Sequence, residues 1–222
     1  MKGDTRMARN KHPEETVEKI LMVSRRLFAE KGYEHTTIQD IVNALGMSKG
    51  AVYHHFQSKE EIYDRIYDEY YAALDPSPTS ASLSGRTGRE KLTSFLLHCL
   101  TDPEKVSLDR LRPDLERNPR LLVSMLRGME DAVGMVLPLI EEGNADGSLC
   151  VARPRETAEA FLLLANLWLG LLPGTPEELM EKFRVLKDFC DGVGMPILDD
   201  EVLAALGRYV EQVSSGKPDP QP

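Results

Sequence analysis

The sequence predicts an all-α protein with a small three-helix domain at its N-terminus and a larger helical domain after it. Apolar residues recur at three- and four-residue spacing along almost the whole chain, whereas the two-residue alternation of a strand is scarce. Helix-start signals are strong, as in Ser58-Lys-Glu-Glu61, where a serine and a glutamate three positions later form a capping box. With 222 residues, the chain is long enough to bury a real core.

The first two predicted helices each end at a glycine. An apolar stripe runs from Val17 to Phe28 and stops at Gly32, a residue that favours a helix C-terminus. Thr37 then starts a shorter helix, because a threonine hydroxyl accepts hydrogen bonds from the free amides of a first turn. Gly46 ends this second helix, which is about two turns long.

A tight turn and a third helix follow Gly46. Glycine adopts the positive φ of a helix-to-helix turn, and Ser48 offers a new N-cap two residues later. Val52 and Phe56 lie four positions apart and give the third helix one buried edge. Two short helices are therefore expected to meet at a steep angle, as in a helix-turn-helix.

The outer face of the third helix carries side chains that suit a phosphate backbone. A rotation of about 100° per residue places four residues on this face, with Lys49 on its flank: Gly50, Ala51, Tyr53 and His54. Glycine in a helix costs about 1 kcal/mol relative to alanine, so Gly50 indicates close approach by another molecule. Lys49 and Lys59 supply cations, and Tyr53 and Thr37 supply hydroxyl groups, for phosphate oxygens.

Charge is segregated along the chain. The net charge is -9, yet residues 1–59 hold ten Lys/Arg against seven Asp/Glu, a balance of +3. Residues 60–222 hold seventeen against twenty-nine, a balance of -12. A basic segment can approach phosphates while an acidic remainder is held away from them, which favours an N-terminal DNA-binding domain.

Several stretches of the N-terminal domain carry a family resemblance. They are Leu-Phe-Ala-Glu-Lys-Gly-Tyr at 27–33, Thr-Thr-Ile at 36–38, Ile-Val at 41–42, Gly-Met-Ser-Lys-Gly-Ala-Val-Tyr-His-His-Phe at 46–56 and Ser-Lys-Glu-Glu-Ile at 58–62. Through them, residues 14–66 resemble the DNA-binding domain of the TetR family of bacterial repressors. Because the resemblance extends over many constrained positions, it is more specific than a match to a short motif.

The resemblance implies a role for each matching position. Four residues would contact phosphates: Thr37, Ser48, Tyr53 and Lys59. Four would face the major groove, some touching base edges: Lys49, Gly50, Ala51 and His54. Ala51 departs from family members with a longer polar side chain there and can offer only contact with a thymine methyl. His55 lies nearer the buried edge, where packing and DNA contact are equally open.

The remainder of the chain predicts a second helical domain. The helices are expected at about 89–101, 104–112, 119–143, 154–172, 176–191 and 199–214, after a connection at 75–88. Pro138 implies a kink or an early stop in its helix. We expect a DNA-binding domain at residues 1–60, with its core at about 14–60, an effector-binding and dimerisation domain at 61–214, and a disordered tail at 215–222.

Six residues of the second domain are candidates for binding an apolar small molecule, because large or flexible apolar side chains and isolated polar groups occur together there: His98, Met125, Met129, Phe161, Asn166 and Trp168. At such helical spacing, methionines fill a core more often than they line a ligand cavity. Asn166 is a satisfied buried amide, an interface contact or a ligand anchor. The apolar helix at 154–172 and the helix at 199–214 are expected to form a homodimer.

These features favour a cytoplasmic, sequence-specific transcriptional regulator. By resemblance, it would be a homodimeric repressor that a small-molecule effector releases from a palindromic operator on double-stranded DNA. The alternative is a helix-turn-helix DNA-binding protein without a small-molecule sensor. No secretory signal is evident, and the apolar stretch at 160–172 falls short of the roughly 20 residues that cross a bilayer.

An enzyme is not expected. The sequence lacks G-x-S-x-G, H-E-x-x-H, P-loop and dinucleotide-binding motifs, so no catalytic residue and no cofactor are assigned. Cys99, Cys150 and Cys190 are far apart in the sequence, which indicates no zinc ribbon. His54 and His55 point about 100° apart on a helix, so no metal site is predicted.

Overall fold

The computed structural model describes residues 13–73, 84–111, 118–169 and 175–214, and every regular element in these ranges is a helix. The chain divides into two compact units between Glu69 and Tyr70. This division lies beyond the boundary expected at residue 60. The first turns of the fourth helix account for the difference, because Ile62 and Ile66 are fully buried. The predicted tail at 215–222 lies outside the described residues.

The N-terminal unit contains three helices and most of a fourth. They are α1 (Pro13–Lys31), α2 (Ile38–Leu45), α3 (Lys49–His55) and α4 (Lys59–Ala73). The apolar stripes predicted from the sequence form its core: Ile20, Leu21, Leu27, Phe28, Tyr33, Ile41, Val42, Val52, Phe56, Ile62, Tyr63 and Ile66 are all buried. Aromatic packing adds to this core, since the Tyr33 ring lies 5.2 Å from Phe28 and 5.3 Å from Tyr63.

The second unit is built around one long helix. Its elements are α5 (Gly88–Thr101), α6 (Pro103–Arg110), α7 (Pro119–Asp146), α8 (Pro154–Leu163), α9 (Pro176–Gly192) and α10 (Asp200–Ser214). Helix α7 packs against both α5 and α8, and α10 packs against α5 and α6. A single apolar cluster contains buried residues of α5, α7, α8, α9 and α10. Within the described ranges, no helix combines the length and apolarity needed to cross a bilayer.

Two helices differ from their sequence-based outlines. Of the two alternatives at Pro138, a kink or an early stop, the early stop does not occur, because α7 continues to Asp146 and ends at Gly147, whose φ of 79° is left-handed. The apolar helix at 154–172 is not a uniform α-helix, since a π-helical segment follows α8 at Leu164–Trp168. Residues 170–172 lie outside the described ranges.

A buried polar group connects α6 to α10. Tyr209 on α10 donates a 2.7 Å hydrogen bond to the Asp109 carboxylate on α6, and the Lys105 ammonium forms an ion pair with the same carboxylate. The Lys105 and Asp109 side chains are 12% and 6% exposed. Breaking such a buried pair from one side is costly, so this group fixes how the two helices pack.

Candidate nucleic-acid interface

The interface begins at the N-terminus of α2, where Thr37 and Asp40 cap each other. The Thr37 hydroxyl accepts from the Asp40 amide at 3.1 Å, and the Asp40 carboxylate accepts from the Thr37 amide at 2.9 Å. Lys31 at the end of α1 donates to the same carboxylate at 2.8 Å. Hydrogen bonds from Lys31 and Thr37 hold the pKa of Asp40 well below its ordinary value.

The turn between α2 and α3 depends on Gly46. Its φ of 65° and ψ of 21° lie in the left-handed region that glycine adopts without steric cost. Two backbone bonds close the turn, from Gly46 to the Asn43 carbonyl at 3.3 Å and from Met47 to the Val42 carbonyl at 3.4 Å. Ser48 then caps α3 by accepting from the Ala51 amide at 3.2 Å. The predicted turn and both predicted caps are therefore confirmed.

Helix α3 has one buried edge and one open face. Val52 is fully buried and Phe56 is 5% exposed. The predicted contact residues lie on the open side, where Lys49, Gly50 and His54 are exposed and Ala51 and Tyr53 are half-buried. The half-buried His55 adjoins this face. The structure thus presents five of the eight predicted DNA-contact residues on a single helix.

Tyr53 and Lys49 form a pair on this face. The Lys49 ammonium lies 5.6 Å from the centroid of the Tyr53 ring, a cation-π distance across one helical turn. Gln57 donates to the Tyr53 carbonyl at 2.9 Å and so occupies an acceptor at the end of α3. A Cβ atom built on Gly50 would meet nothing within 4 Å. Packing within the chain therefore gives no reason for glycine at this position.

Lys59, at the start of α4, interacts with Tyr33 of the same domain. Its ammonium donates to the Tyr33 carbonyl at 2.6 Å and lies 4.0 Å from the centroid of the Tyr33 ring. Partial burial lowers the pKa of Lys59, while Glu34 and Glu60 oppose that shift. The residue is half-buried and holds α4 against the end of α1.

The predicted capping box at Ser58 has a different geometry. The Ser58 hydroxyl accepts from the Glu61 amide at 3.2 Å, as expected. The Glu61 carboxylate, however, accepts from the Gln57 amide at 2.6 Å, one residue before the position expected in a capping box. The first turn of α4 is capped in either case.

Thr36 is a structural residue that the sequence pattern did not single out. It is 1% exposed, and its hydroxyl lies 2.8 Å from the Gly32 carbonyl and 3.2 Å from the Leu27 carbonyl. It therefore satisfies carbonyl groups at the end of α1 and brings Thr37 to the start of α2. The sequence signal for this role was the pair of adjacent threonines before α2, because the side chains of neighbouring residues point in different directions.

The six candidate ligand residues differ in burial and surroundings. Phe161 is 5% exposed within the apolar cluster, and Met129 packs against that cluster. Met125 is half-buried, whereas His98 is exposed. An open groove of about 690 Å³ in the second unit is lined by none of the six, but by Ser84, Thr87, Arg89, Glu90, Thr93, Ser94, Leu97, Ser148, Asp199 and Glu201. The ligand site stays a prediction.

Asn166 and Trp168 lie together on the π-helical segment. The Asn166 amide donates to the Leu162 carbonyl at 3.0 Å, which satisfies one acceptor where the helical hydrogen bonding changes. The Lys182 ammonium lies 5.9 Å from the Trp168 ring centroid. Asn166 is half-buried, and its predicted alternatives, a satisfied amide, an interface contact or a ligand anchor, stay open. Among the described residues, no three His, Cys, Asp or Glu side chains are grouped to hold a metal ion.

Comparison with known proteins matches the helix-turn-helix and its flanking helices. Residues 20–66 match the family described as bacterial regulatory proteins, tetR family. The match runs from α1 through the open face of α3 into α4. The N-terminal unit is therefore similar to this family over those residues. The all-α fold of the chain also agrees with solved TetR-family structures, which confirms the predicted fold class.

Three similar proteins illustrate the extent of the likeness. The chain is 54% identical over 81 residues to the uncharacterised HTH-type transcriptional regulator YerO of Bacillus subtilis (strain 168), covering 35% of this chain and 28% of YerO. It is 31% identical over 108 residues to the HTH-type transcriptional repressor AcnR of Corynebacterium glutamicum, covering 49% of this chain and 53% of AcnR. The chain thus spans about half or less of the length of these two relatives. Salmonella enterica GusR shares the fold with a TM-score of 0.59 at 20% identity, covering 93% of this chain and all of GusR.

Proposed function

We propose that this chain is a sequence-specific DNA-binding transcriptional repressor of the TetR family. The observation that carries the proposal is the open face of α3, where exposed Lys49, Gly50 and His54 and half-buried Tyr53 follow a tight turn at Gly46. An exposed helix of this kind, supported from behind by a second helix, enters the major groove of B-DNA.

The residues of this face divide into base-reading and phosphate-binding groups. Lys49 and His54 supply hydrogen-bonding groups for base edges, and Ala51 supplies a methyl group for thymine. Ser48 and Tyr53 bind phosphate oxygens. The Ser48 hydroxyl accepts from an amide and keeps its proton for a phosphate, whereas the Thr37 hydroxyl donates its proton to Asp40 at 2.5 Å. Thr37 can therefore donate to a phosphate only if its hydroxyl proton turns away from Asp40.

Site selection from a random pool of duplexes tests this function, because it requires no known operator sequence. The parent protein should enrich a palindromic sequence and bind it in a mobility-shift titration. Lys49→Ala and Tyr53→Phe should each weaken binding about tenfold, since each removes a contact to DNA worth roughly 1–3 kcal/mol. Arg153→Ala, which removes an exposed cation from the second unit, should bind like the parent. Parent-like binding by both α3 variants would place the DNA-binding face elsewhere.

The proposed repressor is a homodimer, which a palindromic operator requires. Large apolar side chains that remain exposed within one copy lie on α7, at Val123 and Leu126, and on α8 and α9, where Leu163 is 42% and Val185 is 54% exposed. We prefer α8 and α9 because α8 forms part of the apolar helix that the sequence predicts to dimerise. The last helix, favoured by the sequence pattern, offers no comparable exposed apolar side chain among the described residues. We therefore assign the second copy to α8 and α9.

Light scattering tests the dimer and its face. The parent should give about 50 kDa, twice the chain mass of 24.9 kDa. Leu163→Glu and Val185→Glu should shift this mass toward the monomer, because each places a charge in an apolar interface. Val123→Glu is the matched control, since Val123 on α7 is 46% exposed. A monomeric parent protein would contradict the proposed dimer. If Val123→Glu were the only variant that became monomeric, the interface would lie on α7 instead.

An apolar small molecule is the proposed effector. The residues proposed to bind it are His98, Met125, Met129, Phe161, Asn166 and Trp168. Asn166 and Trp168 lie on the π-helical segment, and such segments occur often at functional sites. The chain has one tryptophan, so fluorescence of Trp168 reports binding directly when a library of lipophilic compounds is titrated. An effector should also dissociate the DNA complex. A ligand that binds the free and the DNA-bound protein with equal affinity would not shift the equilibrium between them. If no compound does both, the alternative of a DNA-binding protein without a sensor is favoured.

A further inference from the structure

An exposed ion pair joins the last residue of α1 to the first turn of α2. The Lys31 ammonium donates to one oxygen of the Asp40 carboxylate at 2.8 Å, and the two side chains are 46% and 29% exposed. Ion pairs this open to water contribute little to stability, because solvent and salt screen them and both side chains lose freedom. The stability of the fold therefore gives only a weak reason for a lysine at position 31.

The Asp40 carboxylate lies beside Thr37, a predicted phosphate contact. Its second oxygen accepts from the Thr37 amide at 2.9 Å and from the Thr37 hydroxyl at 2.5 Å. A phosphate bound to Thr37 would therefore lie close to a carboxylate, and two anions repel each other. Folding has the opposite requirement, since a carboxylate at a helix N-terminus is stabilised by the free amides and the helix dipole. Asp40 thus supports α2 but opposes the approach of DNA.

Lys31 cancels this charge without disturbing the cap. It binds the carboxylate oxygen that Thr37 does not use, so both Thr37 hydrogen bonds remain. The domain has few cations for this task, because residues 13–69 hold seven Lys/Arg against eleven Asp/Glu. We propose that Lys31 is a positioning residue for DNA binding, which acts through Asp40 by neutralising its carboxylate where the phosphate backbone meets α2. This inference rests on the proposed function and adds a residue of α1 to the interface.

Three substitutions separate this role from a direct contact between Lys31 and DNA. Lys31→Met leaves the Asp40 charge uncompensated and should weaken binding roughly threefold at each half-site, or about tenfold for a dimer. Asp40→Asn removes the repulsion, while its amide oxygen still accepts from the Thr37 amide. The double variant should therefore recover an affinity within about twofold of the parent, because both charges are absent. Lys31→Arg keeps the ion pair and should bind like the parent.

Lys19→Met is the matched control, because it removes the same charge from the same helix. Lys19 lies about 18 Å from Lys31 along the axis of α1, beyond the Debye length of about 10 Å at 0.1 M salt. Affinity is measured by fluorescence anisotropy at about 0.1 M salt, on the duplex that the parent protein selects. Thermal unfolding of each variant is recorded alongside, since loss of an exposed ion pair should shift the midpoint by only about 3 °C or less.

Lys31→Met alone should bind more weakly, whereas Lys19→Met, Lys31→Arg and the double variant should stay near the parent. Parent-like binding by Lys31→Met would overturn the proposal. A loss that Asp40→Asn did not restore would also overturn it, because Lys31 would then contact phosphate itself or act through the fold. An equal loss in Lys19→Met would assign the effect to the net charge of the domain instead.

The same titrations keep this inference distinct from the proposed function. If Lys49→Ala weakened binding and Lys31→Met did not, the proposed function would stand and the role of Lys31 would be wrong. A parent protein that selected no duplex would contradict both.

Discussion

The Lys59 ammonium donates a 2.6 Å hydrogen bond to the Tyr33 carbonyl and lies 4.0 Å from the Tyr33 ring centroid. The same carbonyl accepts from the Thr36 amide at 3.2 Å. One backbone oxygen therefore joins α4 to the turn that leads into α2. We therefore expect Lys59 to position the DNA-binding face, and the phosphate contact that its charge and the family resemblance imply stays a prediction.

Replacing Lys59 with methionine should lower the free energy of unfolding of the N-terminal unit by about 1–2 kcal/mol, because the variant has neither the charged hydrogen bond nor the cation-π interaction. Amide hydrogen exchange at Thr36 should accelerate accordingly. Affinity for DNA should fall while the salt slope stays near that of the parent. Lys19→Met, on the exposed part of α1, is the control. A reduced salt slope with normal exchange at Thr36 would show instead that Lys59 contacts phosphate.

A substitution at Gly50 should change the stability of the free protein and its affinity for DNA in opposite directions. A methyl group there meets open space, so Gly50→Ala should raise the helix stability of α3 by up to about 1 kcal/mol. The same methyl group should weaken DNA binding if the backbone of α3 approaches the duplex closely. Thermal unfolding and a mobility-shift titration measure the two effects. Gly134→Ala on α7, also in open space, should gain stability without changing affinity. Undiminished affinity of Gly50→Ala would contradict close approach at this position.

The order of helices and the helix-turn-helix could be predicted because their signals are local. Thr37, Gly46 and Ser48 act through hydrogen bonds and dihedral angles within a few residues of themselves, and apolar spacing identifies the buried edge at Val52. These features hold in the structure.

The features that the sequence could not predict depend on contacts distant in the chain. Lys59 and Tyr33 are 26 positions apart, and no periodic pattern indicates that their side chains meet. The continuation of α7 past Pro138 likewise depends on tertiary packing, since Val136, Leu139 and Ile140 are buried on either side of it. The effector site has the same difficulty, because large apolar residues occur in cores and in pockets alike.

Asp40 should make the stability of the N-terminal unit sensitive to acid. Its folded pKa is depressed by Lys31 and Thr37, so its contribution is fully present above the ordinary value near 3.8 and is lost as pH falls through the folded pKa. Thermal midpoints of the parent and Asp40→Asn should therefore differ at pH 7 and converge below about pH 4. Asp131→Asn, at an exposed position on α7, should match the parent throughout. A parent-to-Asp40→Asn difference that persists unchanged into acid would contradict this assignment.

At Gly88, helices α5 and α7 approach each other closely. A Cβ atom there would lie 2.1 Å from the Gly143 amide nitrogen and 2.5 Å from the Leu139 carbonyl oxygen. Both neighbours are backbone atoms, which cannot rotate away as a flexible side chain does. The Gly88 amide also donates to the Asp146 carboxylate at 2.7 Å, so the start of α5 is held in place.

Gly88→Ala should therefore force the two helices apart and cost about 3 kcal/mol or more of the free energy of unfolding of the second unit. Urea denaturation followed by Trp168 fluorescence measures this unit directly, because the chain's single tryptophan lies within it. Gly128→Ala on α7 is the matched control, since its methyl group meets open space and should be neutral or stabilising by up to about 1 kcal/mol. If Gly88→Ala unfolded at the same urea concentration as the control, α5 and α7 could not approach each other as closely as the structure places them.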